Sequence, residues 1–199
     1  SSSKSTGTRP METHMLTATE VQQKNPGSRL YEAAGIEIVI RAPESQHWDL
    51  YIDARRQKPV DARKMLLSSV LFPSRDDLDR LLERKPALQG KLENLIINLV
   101  APELKPLIES DEHVGAQMAE CDGVRFHLRP PTRKEFDAFE DGSKISYSNA
   151  ATRLVTACLL SPDLPTFDAA NEAKPGLKIA LCGHLLQMAG ADLEFTEKK

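Results

Sequence analysis

The residues best suited to chemistry in this chain are its histidines, its cysteines and two pairs of aspartates. Five histidines and three cysteines are present among 199 residues. Cys182 and His184 stand close together, but residues two apart on a helix point in different directions. No second cluster of cysteine or histidine completes a set of four zinc ligands. We therefore predict that the chain binds no metal and uses no cofactor.

The aspartate pairs recur at helical spacing. Asp49 and Asp53 are four residues apart, and Asp137 and Asp141 repeat the arrangement. Carboxylates one helical turn apart can exchange protons with a substrate or bind a divalent cation. They can equally form a solvated helix face, where an aspartate near the helix start complements the helix dipole. No third acid or histidine has to join them, so we favour the solvated face.

Two arginines also recur, each placed two residues before a proline. Arg41 and Arg129 could bind a phosphate or the carboxylate of a partner. They could equally tie a strand end to Asp49 or Asp137 within the same part of the chain, which we favour. The chain has no glycine-rich phosphate loop of the Gly-x-Gly-x-x-Gly or Gly-Lys-Ser/Thr type and no Gly-x-Ser-x-Gly nucleophile elbow. We therefore predict that the protein is not an enzyme.

Aromatic residues follow the same spacing in both parts of the chain. Trp48 and Tyr51 lie three residues apart, and so do Phe136 and Phe139. Because the surrounding segments are otherwise polar, the rings define one stripe on each helix. The four rings either fill the core or offer a surface to a partner, and filling the core is the commoner use of such residues.

These pairs belong to a longer repeat. Sliding 35–43 onto 123–131, an offset of about 88 residues, aligns two units to their ends once one residue is inserted near Pro162. Among the identical residues that then coincide are Arg41 and Arg129, Asp49 and Asp137, Ala62 and Ala150, Leu66 and Leu154, Pro73 and Pro162, and Lys85 and Lys174. The repeat predicts a tandem duplication, with units at 35–101 and 123–191 and a linker at 102–122.

Each unit is predicted to contain one short strand and four helices. Apolar residues alternate over 36–40 and over 124–128, the period of a strand with one buried face. The clearest helices run over 62–71 and 150–159, and others are predicted over 75–84 and 164–173. Because one short strand is unstable alone, we expect the two strands to pair across a pseudo-twofold axis. The predicted fold class is α+β and mostly helical.

Local signals predict how several helices begin and how the chain ends. Thr132 and Glu135 form a capping box, and Ser74 with Asp77 forms a simpler cap. Residues 1–34 are predicted to be a flexible N-terminal arm, with a short helix over 29–34 ended by Gly35. Residues 192–199 are predicted to fray.

Composition excludes several classes of function. The chain is 40% hydrophobic and 28% charged, ordinary values for a globular protein. Its net charge of −3 argues against a general nucleic-acid binder. No apolar run is long enough to cross a bilayer, and no secretory signal is visible. We therefore expect a cytoplasmic protein with reduced cysteines that binds neither nucleic acid nor membranes.

The repeated unit resembles the small tail assembly chaperones of tailed bacteriophages and phage-derived elements. The segment 129–136 (Arg-Pro-Pro-Thr-Arg-Lys-Glu-Phe), Lys174-Pro175-Gly176-Leu177 and Met188-Ala189-Gly190 are similar to that family's unit. The first unit departs from it, since Ala87 and Ala101 stand where the second unit has glycines. The likeness covers both units and leaves out the arm and the linker.

The resemblance implies a non-enzymatic protein that transiently binds apolar helical segments of a tape-measure-like protein, before tail-tube subunits polymerise around it. Its place would be the host cytoplasm, and it could form a homo-oligomer. The residues expected to contact the partner are Trp48, Tyr51, Phe136, Phe139, Arg41 and Arg129. The alternative is a structural or adaptor subunit that stays in the assembly, with its N-terminal arm ordered on a neighbour.

Overall fold

A computed structural model describes residues 15–107 and 115–194 of the chain. The described residues contain nine α-helices and seven short strands, the strands arranged in two sheets. This confirms the predicted helix-rich α+β class. The predictions made for residues 1–14, 108–114 and 195–199 lie outside the described residues. Over 15–107 and 115–194, no helix combines the length and apolarity that a membrane crossing requires.

The described chain divides into a first and a second half. The elements of the first half are α1 (Ala18–Lys24), β1 (Arg29–Ala33), β2 (Ile36–Ile40), α2 (Ser45–Ala54), α3 (Pro59–Leu66), β3 (Val70–Phe72), α4 (Arg75–Arg84) and α5 (Leu88–Val100). Those of the second half are β4 (Lys105–Leu107), β5 (Gln117–Cys121), β6 (Val124–Leu128), α6 (Arg133–Ser143), α7 (Tyr147–Cys158), β7 (Leu159–Ser161), α8 (Leu164–Ala173) and α9 (Leu177–Met188). The order from β1 to α5 recurs from β5 to α9. The tandem duplication and its pseudo-twofold symmetry stay predictions.

Each half has its own antiparallel sheet. The strand order is β1-β2-β3 in the first half and β4-β5-β6-β7 in the second. The predicted pairing of 36–40 with 124–128 is therefore wrong. Each of these strands instead forms a hairpin with the segment before it, through two residues of positive φ: Ala34 with Gly35, and Asp122 with Gly123. Such two-residue turns match the twist of the strands they join, so the partner of each strand is local.

The hairpins also correct the predicted boundaries. The segment 29–34 was predicted as a helix, but Arg29–Ala33 is strand β1 and pairs with β2. Helix α1 precedes it, so Ala18–Lys24 and Arg29–Ala33 of the predicted flexible arm form regular structure. The predicted linker 102–122 contains β4 and β5, which belong to the second sheet.

A third strand ends the predicted long helix in each half. The helix predicted over 62–71 ends at Leu66, is followed by a 3₁₀ turn over Leu67–Ser69, and gives way to β3. The helix predicted over 150–159 ends at Cys158, and β7 follows directly. Apolar runs of this length fit a helix or a strand equally well, and here pairing with β2 and β6 decides between them.

The predicted capping residues are confirmed, whereas the helices predicted to start at 62 and 150 start at Pro59 and Tyr147. Thr132 and Glu135 form the capping box of α6, in which each side chain accepts a hydrogen bond from the other residue's backbone N–H. Ser74 accepts from the Asp77 N–H at the start of α4. Helices α4 and α8 have the predicted bounds, 75–84 and 164–173.

Two hydrophobic cores, one in each half, share residues at their boundary. The first core surrounds Trp48, Ile52 and Ile96, and the second surrounds Phe126, Phe167 and Leu181. Tyr147 and Ile179 pack against both cores. The Tyr147 ring also lies 4.3 Å from the Arg56 guanidinium, a cation–π distance, and meets Phe139 edge-on at 5.6 Å. Tyr147, at the start of α7, therefore joins the two halves.

Candidate functional site

The four aromatic residues expected to contact a partner differ in exposure. Trp48 and Tyr51 are buried in the first core and Phe139 in the second, whereas Phe136 is half-buried. The Tyr51 hydroxyl donates to Glu93 at 2.8 Å, and burial raises the pKa of this tyrosine to about 12. Three of the rings thus fill the cores, the alternative that the sequence left open, and only Phe136 among the four has substantial accessible surface.

The two recurring arginines also differ. Each backbone N–H donates to the carbonyl of the residue just before a strand, Arg41 to Ser69 before β3 and Arg129 to Cys158 before β7. The Arg129 guanidinium holds both oxygens of Glu135, at 2.6 and 2.9 Å, and donates to the Ala157 carbonyl at 2.7 Å. It ties the strand end to α6 through Glu135, not through Asp137 as predicted. The Arg41 side chain is exposed and has no hydrogen bond or ion pair among the described residues.

The Arg129–Glu135 pair makes folding stability depend on pH. Arg129 lowers the pKa of Glu135 from its usual 4.5 to about 2, with help from Thr132. A carboxyl whose pKa falls on folding stabilises the folded state above its unfolded pKa, and this contribution is lost as pH falls through the folded pKa. For Glu135 the loss therefore runs from about pH 4.5 down to about pH 2.

We expect Glu135→Gln to lower the free energy of unfolding by about 2 kcal/mol at pH 7, because a charged two-point hydrogen bond is lost. The difference from wild type should shrink below pH 4.5 and vanish near pH 2. Urea denaturation across this range measures it, with Glu140→Gln on the exposed face of the same helix as the matched control. A wild-type advantage that stays constant down to pH 2 would contradict the pair's role.

The cysteines and His184 lie in packing environments. Cys121, Cys158 and Cys182 are buried thiols, and burial raises the pKa of Cys158 and of Cys182 to about 11. Burial also lowers the pKa of His184, whose Nε2 is buried without a hydrogen-bond partner among the described residues. Within 15–107 and 115–194, no three His, Cys, Asp or Glu side chains are arranged to hold a metal ion.

The aspartate pairs occupy different environments despite their equal spacing. Asp137 and Asp141 are exposed on α6 and pair with Arg133 and Lys144, as a solvated helix face predicts. The first pair instead faces the second half of the chain from α2. The carboxylate of Asp49 accepts from the Lys178 ammonium at 2.7 Å, and Lys178 is 6% exposed. For this pair the predicted solvated face is wrong.

Asp53 caps a helix of the other half. Its oxygens accept from the Ser148 N–H at 2.8 Å, the Ser148 hydroxyl at 3.0 Å and the Ser146 hydroxyl at 2.8 Å. These groups lie at the N-terminus of α7, where a negative charge is favoured by the helix dipole. A further bond joins Ser45 to Glu172 at 2.7 Å. All of these residues except Ser146 line a polar cleft of about 450 Å³ between the halves, and the contacts across it hold α2 against α7, α8 and α9.

An apolar groove of about 310 Å³ lies between α6 and α7. The lining residues of this α6–α7 groove are Glu135, Ala138, Phe139 and Gly142 from α6, Ile145 and Ser146 from the connection, and Asn149, Ala150, Arg153, Leu154 and Ala157 from α7. Alanine or glycine supplies two lining residues on each wall, Ala138 and Gly142 on α6 and Ala150 and Ala157 on α7, so parts of both walls leave room for a partner's side chains. Ile145 stands at one end with 88% of its surface exposed. Sequence reasoning missed this groove, because it depends on small residues where larger ones would have given an apolar stripe.

The two charged residues of the groove differ in their partners. Glu135 is paired with Arg129, as described above, so its negative charge is compensated. Arg153 is exposed, and its guanidinium has no hydrogen bond or ion pair among the described residues. The groove therefore combines an apolar floor with one uncompensated positive charge.

Comparisons of the chain with protein families, with curated proteins and with solved structures found no match. A function for this chain therefore rests on its own residues. Of the features above, the three thiols are buried and the inter-half carboxylates are held by internal hydrogen bonds, while Asp49 Oδ1 and His184 Nε2 are buried without a partner among the described residues. The α6–α7 groove and the exposed Arg41 guanidinium are the features whose groups are accessible to another molecule.

Proposed function

We propose that this protein is a non-enzymatic tail assembly chaperone that transiently binds apolar helical segments of a tape-measure-like protein in the host cytoplasm. The single observation that carries the proposal is the α6–α7 groove, an apolar channel between two helices with an exposed isoleucine at its end. Grooves of this kind accept the apolar face of an amphipathic helix. The segment 129–136, one of those that carry the resemblance to these chaperones, leads into α6 and contributes Glu135 to the wall of the groove.

Isolation of the protein from its native cells tests this proposal. We expect mass spectrometry to find a long, helix-rich tape-measure-like protein with it, and to find this chain missing from purified particles. The matched control is a variant with the groove filled, Ala138→Leu combined with Arg153→Met, which should lose the partner. Recovery of the chain as a stoichiometric component of finished particles would overturn the chaperone proposal.

A structural subunit retained in the assembly is the second candidate, and one observation favours it. The outer edge of β5 is covered by β4, but no strand covers the outer edge of β1 among the described residues. An open edge offers backbone N–H and C=O groups to a strand from a neighbouring subunit. Proline at Leu30, on that edge, should remove such a contact and lower the amount of this chain in particles.

A further inference from the structure

We infer that the occupant of the α6–α7 groove is an amphipathic helix that inserts an unbranched or γ-branched aliphatic side chain, Leu or Met, and pairs a carboxylate with Arg153. This inference rests on the proposed function, because it names the chemistry of the partner that the groove takes. Three observations support it: the length of the groove, the small side chains on its walls, and its uncompensated charge.

The length and walls of the groove suit a helix. The lining residues run along α7 from its N-cap Ser146 to Ala157, a distance of roughly 16 Å at 1.5 Å per residue. That distance corresponds to about three turns of a partner helix. The small side chains of Ala138, Gly142 and Ala157 allow such a helix to approach the two backbones closely. Gly142 already brings α6 near α7, since an added Cβ there would lie 3.4 Å from that of Ala150.

The first half indicates which side chains the groove lacks. Helices α2 and α3 correspond to α6 and α7 in the order of elements, with the offset of 88 residues found in the sequence. At this offset Leu50 stands where the groove has Ala138, and Met65 stands where it has Arg153. The second half thus carries a methyl group and a cation where the first half carries two large aliphatic side chains, Leu50 and Met65, which are 47% and 37% exposed. A partner that supplies Leu or Met would place an aliphatic side chain over the equivalent helix pair.

The positive charge of the groove determines which charged side chain is favoured beside the apolar stripe of the partner helix. Since Arg129 compensates Glu135, the unpaired guanidinium of Arg153 gives the groove a net positive charge. A carboxylate on the partner would form a charge-assisted pair with it, whereas a lysine at the same place would be repelled. Asn149, one turn away on α7, offers a further polar group on the same rim.

Synthetic helical peptides of about 15 residues provide the probe. Three peptides share one leucine stripe and differ at a single flanking position, which carries Glu, Gln or Lys. Binding to the full chain is measured by fluorescence anisotropy, and far-ultraviolet circular dichroism confirms that each protein variant is folded. For the wild type we expect the Glu peptide to bind about fivefold more tightly than the Lys peptide.

Two variants with changes at exposed positions distinguish the effect of the charge on binding from the effect of the groove's shape. Arg153→Glu should reverse the order of the peptides, and Ala138→Leu with Arg153→Met should abolish binding of all three. Arg133→Gln removes a charge from α6 outside the groove, at a side chain that is 95% exposed, and should leave the order unchanged.

The outcomes distinguish this inference from the proposed function. If the three peptides bind the wild type equally and the filled groove abolishes binding, the groove binds helices but the acidic partner is wrong. If the Glu peptide still binds most tightly to Arg153→Glu, the groove binds helices but Arg153 does not select the carboxylate. If no peptide binds the wild type, both the inference and helix binding by this groove are overturned. If the filled groove changes the sedimentation of the protein alone, the occupant is a second copy of this chain, and the inference is wrong.

Discussion

Replacing Gly176 by alanine should lower the free energy of unfolding by about 3 kcal/mol, because the site has no room for one methyl group. Gly176 precedes α9 and donates its N–H to the Val100 carbonyl at the end of α5. A Cβ built on Gly176 would approach the Val100 oxygen to less than any normal contact and would also lie 3.3 Å from Pro102. The two backbones would have to separate, which also weakens the hydrogen bond between the halves.

Other glycines of the chain provide matched controls for this prediction. Gly183 in α9 and Gly90 in α5 have no atom within 4 Å of a Cβ placed on them. Alanine at either position should raise stability by about 1 kcal/mol, because alanine is the better helix former. Urea unfolding of the three single variants compares them directly. Equal effects of Gly176→Ala and Gly183→Ala would show that the contact with Val100 does not constrain the fold.

The close approach at Gly176 also explains a departure between the two units. At the equivalent position the first unit has Ala87, which likewise precedes a long helix. In the second unit the same place meets the end of α5 from the other half, so only glycine fits. The glycine is therefore required by the packing of the halves and not by the turn itself. A resemblance based on this glycine alone says little about function.

The features predicted correctly from the sequence are those with local signals. Helices α4 and α8 start at capping residues, Ser74 and Asp163, whose side chains bond backbone groups three residues on. The strands β2 and β6 follow from alternation over five residues. The hairpins were missed, although Asp122-Gly123 between alternating segments is a strong local turn signal. With that signal, β5 would have been predicted and the strand pairing between units rejected.

The candidate site could not be predicted in the same way, because its residues acquire their roles from distant partners. Asp49 and Asp137 occupy equivalent positions of the repeat, each directly after an aromatic residue, yet one is held by Lys178 and the other lies in solvent. Lys178 is 129 positions from Asp49, and no local pattern connects them. The α6–α7 groove likewise depends on the absence of large side chains, and an absence gives no periodic apolar signal.

Removing Asp49 should destabilise the protein more than removing its partner. The Lys178 side chain is 8% exposed and that of Asp49 is 31% exposed, so the ammonium depends on the carboxylate more than the reverse. Asp49→Ala leaves a buried cation without its counter-ion, and we expect a loss of about 2–3 kcal/mol in the free energy of unfolding. Lys178→Met keeps an unbranched apolar stem of similar length but leaves the Asp49 carboxylate, whose Oδ1 is already buried without a hydrogen-bond partner among the described residues, without its counter-ion. Because Asp49 is the more exposed member of the pair, we expect a smaller loss, of about 1–2 kcal/mol.

The double variant Asp49→Ala, Lys178→Met completes the comparison. Since no unpaired cation remains in it, it should be more stable than Asp49→Ala alone, and chemical denaturation of the four proteins gives the coupling between the two sites. Hydrogen exchange at the Ser148 amide, which donates to Asp53 one turn further along α2, reports whether the halves separate. In Asp49→Ala this amide should exchange faster than in Lys178→Met. If instead both single variants lose the same stability and the double variant loses the sum, the pair contributes nothing to holding the halves together. The contact across them would then depend on Asp53, Tyr147 and Gly176.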